Sequence, residues 1–173
     1  MDLKTGDMVL VSSKGWLSKL IQWFQGNKWN HAGIVINSFG ENYVCEATEK
    51  GIVFTRINHY LDKPDYYDLK IKRGGLSIPE EQLMNLCLDN TDVGYDFVNL
   101  FIHQPIKFIS KWIFGNKIWI GAKNNKRAKR RFICGEWVAY CYNETIGLFG
   151  DWKSIAPVKL DNHAQFKTVL LVE

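Results

Sequence analysis

The segment FICGEWVAYCY, residues 132–142, holds a cysteine where a helix is expected to begin. Trp137, Val138 and Tyr140 continue an apolar pattern behind Cys134, and the peptide dipoles at a helix N-terminus favour a thiolate over a thiol. Gly135 follows directly and carries no side chain to block approach to the sulfur. A cysteine nucleophile needs a base, and the base needs a group to orient it. Of four histidines, His31 opens the apolar run HAGIVIN beside the small residues Ala32 and Gly33. Glu46 lies in the next run, NYVCEAT. If the two runs pair as a hairpin with its turn centred at residues 38 and 39, His31 and Glu46 fall nearly opposite, within cross-strand reach. A carboxylate there would hold the imidazole in one tautomer and stabilise its charged form. His163, in KLDNHAQF, is the competing base.

Each of these residues has a plainer reading when taken singly. A histidine at a strand end is commonly a surface or capping residue, a facing glutamate forms an exposed pair worth little, and a cysteine at a helix start is commonly core. The joint pattern of a His and a Glu in register with a Cys opening an amphipathic helix is what points to thiol chemistry. Cys141, two turns further along the same helix, Cys45, beside Glu46 and turned to the opposite sheet face, and Cys87, among Leu83, Leu86 and Leu88, read as packing residues.

The elements that must position these groups follow from periodicity. GDMVLVSS, HAGIVIN, NYVCEAT, GIVFTRIN and YYDLKIKR read as strands separated by turn residues, and FKTVLLVE closes the chain as another. The segment GWLSKLIQWFQG, bracketed by glycines, spaces Trp16, Leu17, Leu20, Ile21 and Phe24 as one helical face. SIPEEQLMNLCLDN carries helix-start signals, with Ser77 before Pro79 and acids in the first turn. Strands in the first half, flanking helices and a last strand predict an α+β fold with a mainly antiparallel sheet.

Composition narrows the class. At 173 residues, 46% of them hydrophobic, the chain is expected to form a single domain over 1–173. Four cysteines with no CxxC pair argue against a structural metal site, and no cofactor is expected. The N-terminal stretch MDLKTGDMVLVSSKG has no secretory pattern, so reduced thiols and a cytoplasmic protein are expected. The net charge of +4 hides an asymmetry: nine basic residues and no acid lie between Gln104 and Arg131, leaving 13 basic against 18 acidic residues elsewhere. That span mixes Ile106, Phe108, Trp112, Phe114 and Trp119 with lysines, which suits an anionic membrane surface; a lid over a cleft, or a core helix followed by a solvated basic loop, would look the same. Nucleic-acid binding is disfavoured, because no recognised fold for it accompanies the charge.

GDMVLV, NHAGIVI, YVCEATEKGIVFTRI, GYDF and FICGEWVAYCYNETIGL, in that order, resemble the circularly permuted branch of the NlpC/P60 papain-like superfamily, in particular the YaeF/YiiX-like permuted amidases. The resemblance covers most of the chain, with the basic span around 104–131 as an insertion. It implies a permuted papain-like fold, with Cys134 as nucleophile, His31 as base and Glu46 as orienter. Tyr95, in VGYDF, matches a recurring Gly-Tyr-Asp element and with Gly135 is expected to line the substrate cleft. Where the family often has a small polar residue after the cysteine, this chain has Gly135, then Glu136. The activity implied is cysteine peptidase or amidase chemistry through an acyl-enzyme, on a γ-glutamyl-diaminopimelate-like cell-wall peptide or an N-acyl amide. Acyl transfer between lipids, or a non-catalytic lipid- or protein-binding role, are the alternatives left open.

Overall fold

The computed structural model describes residues 2–93, 132–153 and 155–173. Six strands form one sheet: β1 (Met8–Ser13), β2 (His31–Ser38), β3 (Glu41–Thr48), β4 (Gly51–Arg56), β5 (Tyr67–Gly74) and β6 (Phe166–Val172). Their spatial order is β4-β3-β2-β1-β5-β6, and every neighbouring pair is antiparallel. Five helices accompany them among the described residues. These are α1 (Trp16–Gln25), α2 (Asn58–Leu61), α3 (Glu80–Asp89), α4 (Cys134–Ile146) and α5 (Pro157–Asp161). The expected α+β class with an antiparallel sheet is what the chain forms.

Alternation along the strands explains why β1 and β2 are almost wholly apolar. Met8, Leu10, Ala32, Ile34, Ile36 and Cys45 face one side, where α3 and α4 deliver Leu83, Cys87, Trp137, Val138 and Cys141. Val9, Val11, Val35, Val44, Leu69 and Ile71 face the other, where Ile57 and Tyr60 close a smaller core. Strands buried on both faces read as continuous apolar runs rather than alternating ones.

The hairpin between β2 and β3 sets the register that matters most. Phe39 and Gly40 both take positive φ, 51° and 78°, forming a two-residue turn between Ser38 and Glu41. A right-handed strand twist favours this mirror-type turn. It centres the hairpin one residue beyond the expected centre at 38 and 39. The strand partner of Glu46 is therefore Gly33, not His31. A shift of two residues in pairing leaves each side chain on its own face, so His31 and Glu46 become diagonal neighbours.

A second buried charge ties the other end of the sheet. Asp7, 1% exposed, accepts from Arg73 Nε and Nη2 at 2.7 Å each and from the backbone N–H of Lys4 at 2.9 Å. The turn role expected for Asp7 is thus joined by a bidentate ion pair between β5 and the approach to β1.

Candidate active site

Cys134 is the first residue of α4, and Ile133 before it is extended, with φ −89° and ψ 161°. Glu136 closes the turn from within: its Oε2 accepts the Ile133 N–H at 3.4 Å. The helix lies against β2 and β3. Its start meets the first residue of β2, and the Cys134 sulfur sits 4.0 Å from the carbonyl of Asn30, the residue before His31. The Cys134 side chain is also an electrostatic neighbour of the His31 ring.

The imidazole is held from its far side. His31 Nε2 lies 2.5 Å from Glu46 Oε2. With Nε2 turned to the carboxylate, Nδ1 is the ring nitrogen left for the thiol. Gly33 makes the diagonal contact feasible, since a Cβ there would stand 2.3 Å from Val44 Cγ1 and 3.2 Å from the Glu46 Cβ. Val44 Cγ1 occupies the space that a side chain at 33 would take, and the Glu46 Cβ borders it.

Glu46 is 1% exposed and has two further donors. Thr55 Oγ1 donates to Oε1 at 2.5 Å, and Tyr60 Oη donates to Oε2 at 2.6 Å. Burial alone would raise the Glu46 carboxyl; the His31 charge and the hydrogen bonds from His31, Thr55 and Tyr60 outweigh it and hold the group below its ordinary value. Burial likewise works against a charged His31. The Glu46 charge and the hydrogen bonds of Cys134 and Glu46 prevail, and raise the imidazole to about 10. Burial and the adjacent carboxylate push the Tyr60 hydroxyl up, so it stays a donor. At neutral pH the ring therefore carries its proton beside the Glu46 carboxylate.

The fold thus pairs His31 with Glu46 and sets Cys134 against Asn30, the residue before His31. Gly135 is placed differently from the expectation of an open approach. A Cβ there would stand 2.3 Å from the Ile155 carbonyl oxygen and 3.1 Å from the Ala156 carbonyl carbon. Backbone packing against the segment before α5 therefore accounts for this glycine. Tyr95 and the basic span Gln104–Arg131 lie outside the described residues. His163, the competing base, packs against Phe149 and Phe166 with centroids 4.9 and 5.5 Å away. Those rings adjoin Tyr142 in the second half of α4, away from its cysteine end. Thr55 and Tyr60 were not identified from sequence: neither a strand threonine nor a tyrosine in a one-turn helix carries a local signal.

The remaining thiols are core residues. Cys45, Cys87 and Cys141 have no exposed surface, whereas Cys134 keeps 4% open. Burial pushes the Cys45 and Cys141 thiols up.

Comparison with known proteins follows this geometry. The family described as permuted papain-like amidase enzyme, YaeF/YiiX, C92 family, matches residues 2–105. The match includes His31 and Glu46 and stops before Cys134. Among solved structures, the crystal structure of metalloprotein yiiX from Escherichia coli O157:H7 resembles the chain with a TM-score of 0.68 at 17% identity, covering 98% of each chain. At that identity the likeness speaks for the fold. No curated protein matches the sequence. The word metalloprotein describes that neighbour; among the described residues here, no three His, Cys, Asp or Glu side chains gather as metal ligands. Nor, among those residues, is any helix long and apolar enough to cross a membrane.

Proposed function

The chain belongs to the permuted papain-like amidase family, a family of cysteine hydrolases of amide bonds, and from that premise we propose that Cys134, His31 and Glu46 form its catalytic group. The observation that carries the proposal is the short contact between the His31 ring and the buried Glu46 carboxylate, with the Cys134 sulfur 4.0 Å from the carbonyl of Asn30, the residue before His31. Charged His31 favours a thiolate partner. The thiolate attacks the carbonyl carbon of an amide, and the carbonyl electrons move onto oxygen. The first N–H groups of α4 have no intrahelical acceptor, and that of Cys134 would receive the oxyanion. Collapse of the adduct breaks the C–N bond as His31 gives its proton to the departing amine. Water then attacks the thioester while the neutral ring takes a proton, releasing a carboxylic acid and restoring the ion pair. Glu46 keeps Nε2 protonated and Nδ1 turned to sulfur throughout.

The proposed substrate is a γ-glutamyl-diaminopimelate-like peptide or an N-acyl amide. A lipid substrate is the second reading, and one observation favours it. Trp16 and Trp23 are 80% and 69% exposed, seven residues apart on one face of α1, and the segment after α1 leads directly to Asn30 beside the sulfur. Exposed tryptophans on the helix whose chain leads to the site suit an acyl chain or a lipid interface. Incubation with the γ-linked peptide, an N-acyl amide and phospholipid vesicles, read by mass spectrometry of products and of the protein, tests both. An acyl adduct on Cys134 that disappears in Cys134→Ala supports the proposal. Unaltered hydrolysis by that variant contradicts it.

A further inference from the structure

Glu46 is gripped on both oxygens by hydroxyls that come from different elements. Thr55 belongs to β4, two residues on from Val53, the strand partner of Glu46. Tyr60 belongs to α2, and its ring is fixed edge-on against Tyr67 of β5, with centroids 5.1 Å apart at 81°. A carboxylate turns easily about its last bond, where the torsion is broad and roughly two-fold. One contact with His31 leaves that rotation free. A donor on Oε1 and another on Oε2 remove it, and the carboxylate plane then presents Oε2 to the ring. Hydroxyls are also neutral donors, so they support the anion without competing with His31 as a counter-ion.

We propose that Tyr60, seconded by Thr55, is a positioning residue that locks the Glu46 carboxylate in the plane that His31 requires. The inference rests on the reading of Cys134, His31 and Glu46 as the reactive group, and it concerns a residue whose hydrogen bond is to Glu46. Tyr60 acts through Glu46, so its hydroxyl has value only while Glu46 is a carboxylate. Loss of the phenolic oxygen in Tyr60→Phe keeps the ring packing against Tyr67 and removes a single donor.

The test is a double-mutant cycle read by the rate at which iodoacetamide alkylates Cys134 at pH 6, with folding followed by thermal melting. Tyr60→Phe should slow alkylation by about three- to ten-fold in the wild-type background, the range of the net worth of one ordinary hydrogen bond. In Glu46→Gln the same substitution should change the rate by less than about 1.5-fold, since coupled partners are not additive. Thr55→Val should behave like Tyr60→Phe, and Thr55→Ser should retain the wild-type rate; this pair carries the test if Tyr60→Phe does not fold. An equal slowing by Tyr60→Phe in both backgrounds, or none in the wild type, overturns the positioning role while leaving the reactive group intact. A wild-type rate that His31→Ala leaves unchanged overturns the reactive group itself, and the inference with it.

Discussion

His31 and Glu46 are hydrogen-bonded at 2.5 Å although they are not strand partners. The contact runs diagonally past Gly33, where Val44 Cγ1 fills the space a side chain would take and the Glu46 Cβ borders it. An added methyl at 33 would meet Val44 Cγ1, the Glu46 Cβ and the Cys45 carbonyl.

Gly33→Ala is therefore expected to cost about 1–3 kcal/mol through overpacking of an otherwise closed sheet face. It should also slow Cys134 alkylation, because relief of the clash moves Glu46. Urea unfolding and the alkylation rate check the two effects separately. A variant with wild-type stability would show that the sheet opens more easily than this packing implies.

How far the sequence disclosed this arrangement depends on the range of the interaction. The strands and the helix at Cys134 were legible because apolar runs and glycine turns are local signals. The pairing of β2 with β3 was expected two residues out of register, since the turn places Phe39 at positive φ, where a bulky residue is seldom found. Face and approximate neighbourhood survived that error because side chains alternate with a period of two. Tyr60 and Thr55 stayed hidden because their value lies in a carboxylate nine or more residues away along the chain. Gly135 was legible as special but not for its reason, which is the distant backbone of Ile155 and Ala156.

Gly135→Ala should be strongly destabilising for that reason. Its Cβ would stand 2.3 Å from a backbone oxygen, and both neighbours are main chain that moves only with the segment leading into α5. A loss of about 1–3 kcal/mol is expected, measured by denaturant unfolding at constant pH. A neutral effect would mean that this segment yields freely.

Protonation of His31 makes stability depend on pH. The folded ring holds its proton up to about pH 10, against 6.5 for a free imidazole. Its contribution is complete below pH 6.5 and is lost as the pH rises through about 10. Glu46 has the opposite sense: its contribution is present above 4.5 and is lost as the pH falls through its depressed folded value. Chemical denaturation should show wild-type stability declining from pH 6.5 to 10, with a flatter curve for His31→Ala. Parallel curves would contradict a charged ring.

Arg73→Met should leave the Asp7 carboxylate buried with only the Lys4 N–H for support. Removing the partner of a buried acceptor in such a part-exposed pair typically costs about 1–3 kcal/mol. The double variant Asp7→Asn/Arg73→Met should recover much of that loss, because no bare charge remains. Thermal melting of the three variants distinguishes a buried ion pair from an exposed one, for which all would lie close to wild type.

The central claim is that Cys134, opening α4 beside His31, is the nucleophile and therefore reacts ahead of the three sealed thiols. Time-resolved mass spectrometry of iodoacetamide labelling at pH 6, comparing the wild type with His31→Ala, measures this directly. The predicted result is rapid modification of Cys134 alone, slowed by about 100-fold or more without the imidazole, the order of magnitude of a lost acid–base partner. Equal labelling in the two proteins, or labelling of Cys45, Cys87 or Cys141 before Cys134 in the folded state, would contradict it.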